Sequence, residues 1–196
     1  MTLHFGIKIG SRTSYQPQDR QGRKGRAAIA STLSTQRSRI AIHPLDLVEQ
    51  VVTENEWSFE RSHVDEMAVE MPGQWSSYYL YFSWRPDVRL IQLTCAFDIR
   101  VPQNKRGLLH GLLAGVNERM CLGHFDLWSE EGLPMFRHVV PLRGVSGMAP
   151  EQLEDLIEFA TSECDRFYPA FQLVLWGGKE PAEAIALCLL DPVGEA

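Results

Sequence analysis

His124, Asp126 and His138, in "HFDLWSEEGLPMFRH", have side chains of the types that do chemistry. If the segment doubles back as a hairpin, the two histidines come opposite each other. Two imidazoles with a carboxylate could hold a metal or small ligand, or move a proton. The spacing supplies no further ligand, so outward polar positions on a solvated strand are the preferred reading, and a metal- or small-ligand-binding enzyme is the alternative. Cys121, three residues before His124, invites a nucleophile; Met120 and Leu122 beside it make a buried, inert thiol the expectation. Ser146 and Gly147 lack the nucleophile elbow, and Gly22, Gly25, Gly107 and Gly111 do not form a phosphate loop. No catalytic residue, cofactor or metal is therefore assigned. Cys95, Cys121, Cys164 and Cys188 lie far apart in apolar surroundings and without C-x-x-C pairs, the pattern of buried, reduced thiols rather than a zinc or disulfide frame.

The elements that would position these groups follow from periodicity. "HPLDLVEQVVTENEW" carries Leu45, Leu47, Val48, Val51 and Val52 on one helical stripe, with Pro44 in the first turn. "WSFERSHVDEMAVEMPG" contains a strand in which Met67, Val69 and Met71 alternate, closed by Pro72 and Gly73. "WSSYYLYFSW" places Tyr78, Leu80, Phe82 and Trp84 on one face of the next strand and Tyr79, Tyr81 and Ser83 on the other. Its rings are mainly packing, with the two outward tyrosines available to an interface. "LIQLTCAFDIRVP" alternates from Ile91 to Val101, the mark of a half-solvated antiparallel sheet.

A helix over 104–120 follows, with Leu108, Leu109, Leu112, Leu113, Val116 and Met120 as its apolar side. Gly107, Gly111 and Gly115 recur on one face of it. Each glycine costs a helix about 1 kcal/mol against alanine, so something must come close there, either the sheet aromatics or a second copy of the chain. Residues 121–144 form a hairpin turning at 129–132, in which Pro134 signals an edge strand or a bulge. A long helix opens at Pro150, is bent by Pro169 and stops at Gly177 and Gly178. "PAEAIALCLL" is a short closing helix. The expected order is α-β-β-β-α-β-β-α(-α): an α+β domain with a five-stranded antiparallel sheet and helices packed on one face.

Charge divides the chain. Residues 1–40 hold eight Lys or Arg against one acid, a formal +7, within an overall −6 that leaves −13 to the remainder. Residues 1–39, rich in Gly, Ser, Gln and Arg, cannot bury enough apolar surface to order themselves and are expected to be a disordered basic leader. A tail for nucleic acid or membrane surfaces, a transit peptide and an over-extended gene start all remain open for it. Residues 40–196 form the single folded domain. Its acidic long helix, with Glu151, Glu154, Asp155, Glu158 and Glu163, argues against nucleic acid as the domain's partner. No apolar run of about 18 residues exists to span a membrane, and the expected location is cytoplasmic.

"HPLDLVEQVV", "NKRGLLHGLLAGVNERMCLGHFDL" and "MAPEQLEDLIEFATSECDRFYPAFQLVLWGGKEPAEAI" together resemble the YbjN-domain family of bacterial sensory transduction regulators, whose fold looks like that of type III secretion chaperones. The resemblance covers about residues 42–190 and omits the leader. It implies a small α+β protein, a homodimer, that binds another polypeptide rather than turning over a substrate, and it carries over no catalytic residue. The expected function is a non-enzymatic, chaperone-like or regulatory protein-binding domain. Its expected contact surfaces are Tyr79, Tyr81, Trp128 and the glycine face of Gly107, Gly111 and Gly115.

Overall fold

The computed structural model describes residues 43–189; the leader, 1–39, lies outside them. The chain runs α1 (Pro44–Glu54), β1 (Ser58–His63), β2 (Glu66–Pro72), β3 (Ser77–Arg85), β4 (Leu90–Ala96), a 3₁₀ turn (Gln103–Lys105), α2 (Arg106–Asn117), β5 (His124–Trp128), β6 (Leu133–Pro141), α3 (Pro150–Leu175) and α4 (Pro181–Cys188). Six strands form one sheet in the order β1-β2-β3-β4-β6-β5, every neighbouring pair antiparallel.

The sixth strand corrects the expected five. Residues 57–73 hold a hairpin, β1 and β2, joined at Val64 and Asp65, where one strand was expected. β1 escaped the periodicity because it lies at the end of the sheet: every residue of it except Arg61 is exposed, so it carries no buried alternation. The hairpin is held from outside. Asp65 accepts the Trp84 backbone N–H through its carbonyl (2.9 Å), and Arg61 crosses to α1, donating to Asp46 (2.9 Å) and Glu49 (2.8 Å).

Alternation in β3 works as expected. Tyr78, Leu80, Phe82 and Trp84 are buried beneath the helices, and Tyr79 and Tyr81 turn to the opposite face. The strand expected to continue to Val101 stops at Ala96. Phe97, Ile99 and Val101 stay buried in alternation, but only single backbone bonds tie the segment down, from Phe97 to the Pro134 carbonyl (3.2 Å) and from Val101 to that of Gly132 (2.8 Å). Pro134 is therefore neither on an edge strand nor in a bulge. It is the second residue of β6, an interior strand, one position before the β4 ladder begins at Ala96 and Met135, so its missing N–H removes no bond from that ladder.

The helices cover one face. Phe97 sits in a ring cluster with Tyr78, Phe125, Tyr168 and Phe171 at centroid distances of 5.0–6.0 Å, and Phe136 meets Phe159 of α3 at 6.0 Å. Tilted and edge-to-face ring pairs of this kind stabilise a core beyond their buried area.

The close approach required by the glycines of α2 is met within the chain. A Cβ on Gly115 would stand 2.7 Å from Ile185, and one on Gly111 3.3 Å from Pro181, whereas Gly107 faces open space. Two of the three glycines thus seat α4, neither the sheet aromatics nor a second copy. Leu108, expected on the apolar side of α2, is 52% exposed.

Pro169 lies inside the continuous α3, and its missing N–H leaves the carbonyl of Asp165 without a helical donor. The indole of Trp75, on the loop between β2 and β3, donates to that carbonyl (2.8 Å) and stacks on Tyr168. The Asp165 carboxylate accepts from the Gln74 N–H (2.8 Å) and the Tyr78 hydroxyl (2.6 Å). One residue thereby fixes the loop to the helix layer. Gly73 is needed there, since the Tyr78 ring lies 2.2 Å from where its Cβ would be.

Candidate functional site

The register of β5 and β6 separates the three residues with the most chemical potential. His124 stands opposite Arg137 and Asp126 opposite Met135, on the helix-free face. His138, next to Arg137 along β6 and opposite Leu93, points to the covered face. Asp126 is taken up by Arg137 (3.1 Å), and its other oxygen accepts the Leu127 N–H (2.8 Å). Burial, and then the neighbouring charge of His124, pushes the His138 imidazole below its ordinary value, which favours the neutral ring. Among the described residues no three His, Cys, Asp or Glu side chains converge on a metal position.

The cysteines divide as well. Cys95 and Cys164 are buried, as expected; Cys188 is half-buried, and Cys121 is exposed, correcting its reading as a core thiol. Cys121 lies in the irregular connection leading into β5, so its apolar neighbours do not mark a core segment: Leu122 is itself 48% exposed.

What remains is a surface. On the helix-free face, one transverse row runs Glu60, Ala68, Tyr81, Thr94, Arg137 and His124, and the next runs Ser58, Glu70, Tyr79, Ala96, Met135 and Asp126. Tyr79 and Tyr81 are half-buried among small neighbours. Burial first, and then Tyr79, pushes the Tyr81 hydroxyl up to about 12; burial, with Glu70 and Asp98, raises that of Tyr79. Trp128 is half-buried at the end of β5, opposite Leu133. The β1–β2 corner is acidic: Glu60, Glu66 and Glu70 share this face, and none of them forms an ion pair among the described residues.

The two ends of the sheet differ. At β5, the Asn117 side chain at the end of α2 accepts from the Phe125 N–H (2.7 Å) and donates to its carbonyl (3.0 Å). This amide takes the place of a neighbouring strand. At β1, no described strand pairs with the outer edge. Sequence reading missed both features. Asn117, closing α2 eight residues before Phe125, was the available signal; nothing in "SFERSH" marks an edge.

A six-stranded antiparallel sheet covered on one face by helices defines an α+β protein with one solvated sheet face. The chain belongs to the YbjN family, whose description, "Putative bacterial sensory transduction regulator", attaches to a match over residues 44–173. No curated protein matches the chain. Among solved structures it is similar to the crystal structure of YbjN from E. coli, with 15% sequence identity and a TM-score of 0.45, covering 76% of this chain and 96% of that one. No helix of the described residues is long and apolar enough to cross a membrane.

Proposed function

We propose that this chain is a non-enzymatic regulatory module of the cytoplasm that binds an extended segment of another polypeptide along β1, in the manner of a chaperone for that segment. The supporting observation is the contrast between the sheet's ends: β5 is capped by Asn117, and the outer edge of β1 pairs with no described strand. An uncapped edge offers backbone donors and acceptors to an incoming strand, and side chains on alternate positions then supply specificity. Glu60, Glu66 and Glu70 favour a segment with basic residues at every second position. Tyr81 and Tyr79 extend the surface inward, and Trp128 marks its far end.

Pairing of β1 with its own copy is disfavoured in its two central registers. An in-register two-fold pairing centred on Glu60 sets Glu60 against Glu60, and one centred on Arg61 sets Arg61 against Arg61; like charges directly opposite destabilise a sheet. The homodimer in this reading uses another surface, for which the open positions Gly107 and Leu108 on α2 are the candidates.

Fluorescence anisotropy of the full chain with two labelled peptides, one alternating Lys with Val and one alternating Glu with Val, tests the reading. The basic peptide is expected to bind, more weakly as salt rises, and to lose at least tenfold in affinity when Glu60 and Glu70 are changed to Lys. Equal binding of both peptides, or affinity unchanged by the charge reversal, would sink it. Light scattering of the same samples checks the dimer, and the double variant Gly107→Glu, Leu108→Glu is expected to yield monomers.

A further inference from the structure

The sulfurs of Cys95 and Cys164 lie 3.4 Å apart, and neither side chain is exposed. Cys95 is at the centre of the sheet, on β4, flanked on the covered face by Leu80 of β3 and Phe136 of β6. Cys164 lies midway along α3, next to Asp165, which fixes the loop between β2 and β3. Two thiols at this separation need to approach by only about 1.4 Å to reach disulfide bonding distance. They join the two layers of the fold and nothing else.

We propose that Cys95 and Cys164 are a redox-closable cross-link between the sheet and the long helix, oxidised by a low-molecular-weight disulfide when α3 lifts from the sheet and locking the layers together once it returns. The chemistry balances. One thiolate attacks a sulfur of oxidised glutathione, forming a mixed disulfide and expelling one glutathione thiolate. The second thiolate attacks the protein sulfur of that mixed disulfide, forming the Cys95–Cys164 bond and expelling the second glutathione thiolate. Two protons leave the protein, which is oxidised by two electrons, and one oxidised glutathione becomes two reduced ones.

The environment makes this a gated reaction. Burial pushes the Cys164 thiol well above its ordinary value, with the hydrogen bond to Cys95 acting in the same direction. Little thiolate therefore exists in the closed state, and no oxidant reaches it. Opening supplies both missing conditions, so the rate of cross-linking reports how often the helix layer opens. Once formed, the bond closes a long loop, residues 95–164, and removes the entropy of that loop from the unfolded chain. Cys121 is exposed; it reacts with glutathione without opening and serves as the internal control.

The test is incubation of the full chain with oxidised and reduced glutathione at several ratios, with and without urea below the unfolding midpoint. Alkylation and peptide mapping then locate the bonds. The expected product has lost two hydrogens across a peptide pair containing Cys95 and Cys164, forms faster in urea and persists in Cys121→Ser. It melts about 10 °C higher, an increase reversed by dithiothreitol and absent in Cys164→Ser. If Cys164→Ser does not fold, mapping of the unsubstituted chain decides. Cys95 and Cys164 remaining reduced in excess oxidised glutathione with urea present would overturn the proposal. So would a cross-link that leaves the melting temperature unchanged.

Discussion

β1 and β5 end the same antiparallel sheet, and the chain treats them differently. β5 is a five-residue strand whose Phe125 is buried and whose backbone is met by the amide of Asn117. β1 is a six-residue strand with little burial, held sideways by Arg61 to the acids of α1, its outer edge left without a described neighbour. An uncapped edge is a hazard unless short, charged or irregular, and β1 is all three: its register shifts between Glu60 and His63. The difference teaches that capping here is local and selective. One edge is closed with a side chain, and the other is short, charged and irregular, with no described strand beside it.

The largest expected effect comes from making the two edges alike. Asn117→Ala removes two hydrogen bonds from a backbone beside a buried Phe125, and should cost about 2 kcal/mol in urea unfolding. It should also add concentration-dependent association beyond a dimer, visible by light scattering. If stability falls and no association follows, the amide of Asn117 supports α2 without guarding the edge.

Next in size is the loop that turns β2 into β3. Tyr78→Phe should cost about 1.5 kcal/mol, the scale of a hydrogen bond to a carboxylate. Burial, and then the hydrogen bond and charge of Asp165, hold the Tyr78 hydroxyl well above its ordinary value of 10.0. The unfolded chain releases this proton at about 10 while the folded chain keeps it, so the associated stability is present below pH 10 and is lost as pH rises beyond it. Tyr81, pushed up to about 12, adds to the loss between those values. Urea midpoints measured from pH 9 to 11.5 should therefore fall more steeply for the unsubstituted chain than for Tyr78→Phe; parallel slopes would remove Tyr78 as the cause.

A smaller effect separates β1 from the rest. Arg61→Met keeps much of the aliphatic stem but releases Asp46 and Glu49, half-exposed partners whose loss should cost about 1 kcal/mol or less. Hydrogen exchange should speed up in β1 and β2 and stay unchanged in β4, β6 and α3. Uniform acceleration would mean that β1 is part of the global folding unit and not a separately held edge.

What the sequence showed and what it hid divides along the same line. β3 and most of β4 were legible because each has one buried and one solvated face, as Tyr78 to Trp84 show residue by residue. The helices were legible from their apolar stripes and prolines. β1 was hidden because an edge strand fixed by Arg61 has no apolar period. The surface residues Tyr79 and Tyr81 could be placed on the open face, but the acidic corner of Glu60, Glu66 and Glu70 appears only once the hairpin register is known. Likewise, nothing in the spacing of Cys95 and Cys164 shows that the fold brings them within 3.4 Å.

The smallest effect concerns how the cap at β5 is itself positioned. Asn117 ends α2, and two residues earlier Gly115 sits against Ile185 of α4. In Gly107→Ala the new methyl meets nothing within 4 Å, so the helix gains the propensity difference and stability should rise by about 0.5–1 kcal/mol. In Gly115→Ala the same gain is opposed by a Cβ 2.7 Å from the Ile185 methyl, which must swing away or push α2 off α4. If α4 yields, the two variants should differ by less than about 0.5 kcal/mol and the amide proton of Phe125 should keep its protection. If α2 yields instead, Gly115→Ala should lose the gain and the Phe125 amide should exchange faster, because Asn117 moves with the helix. The second outcome would tie the guarded edge to the packing of the closing helix, a coupling that β1 does not share.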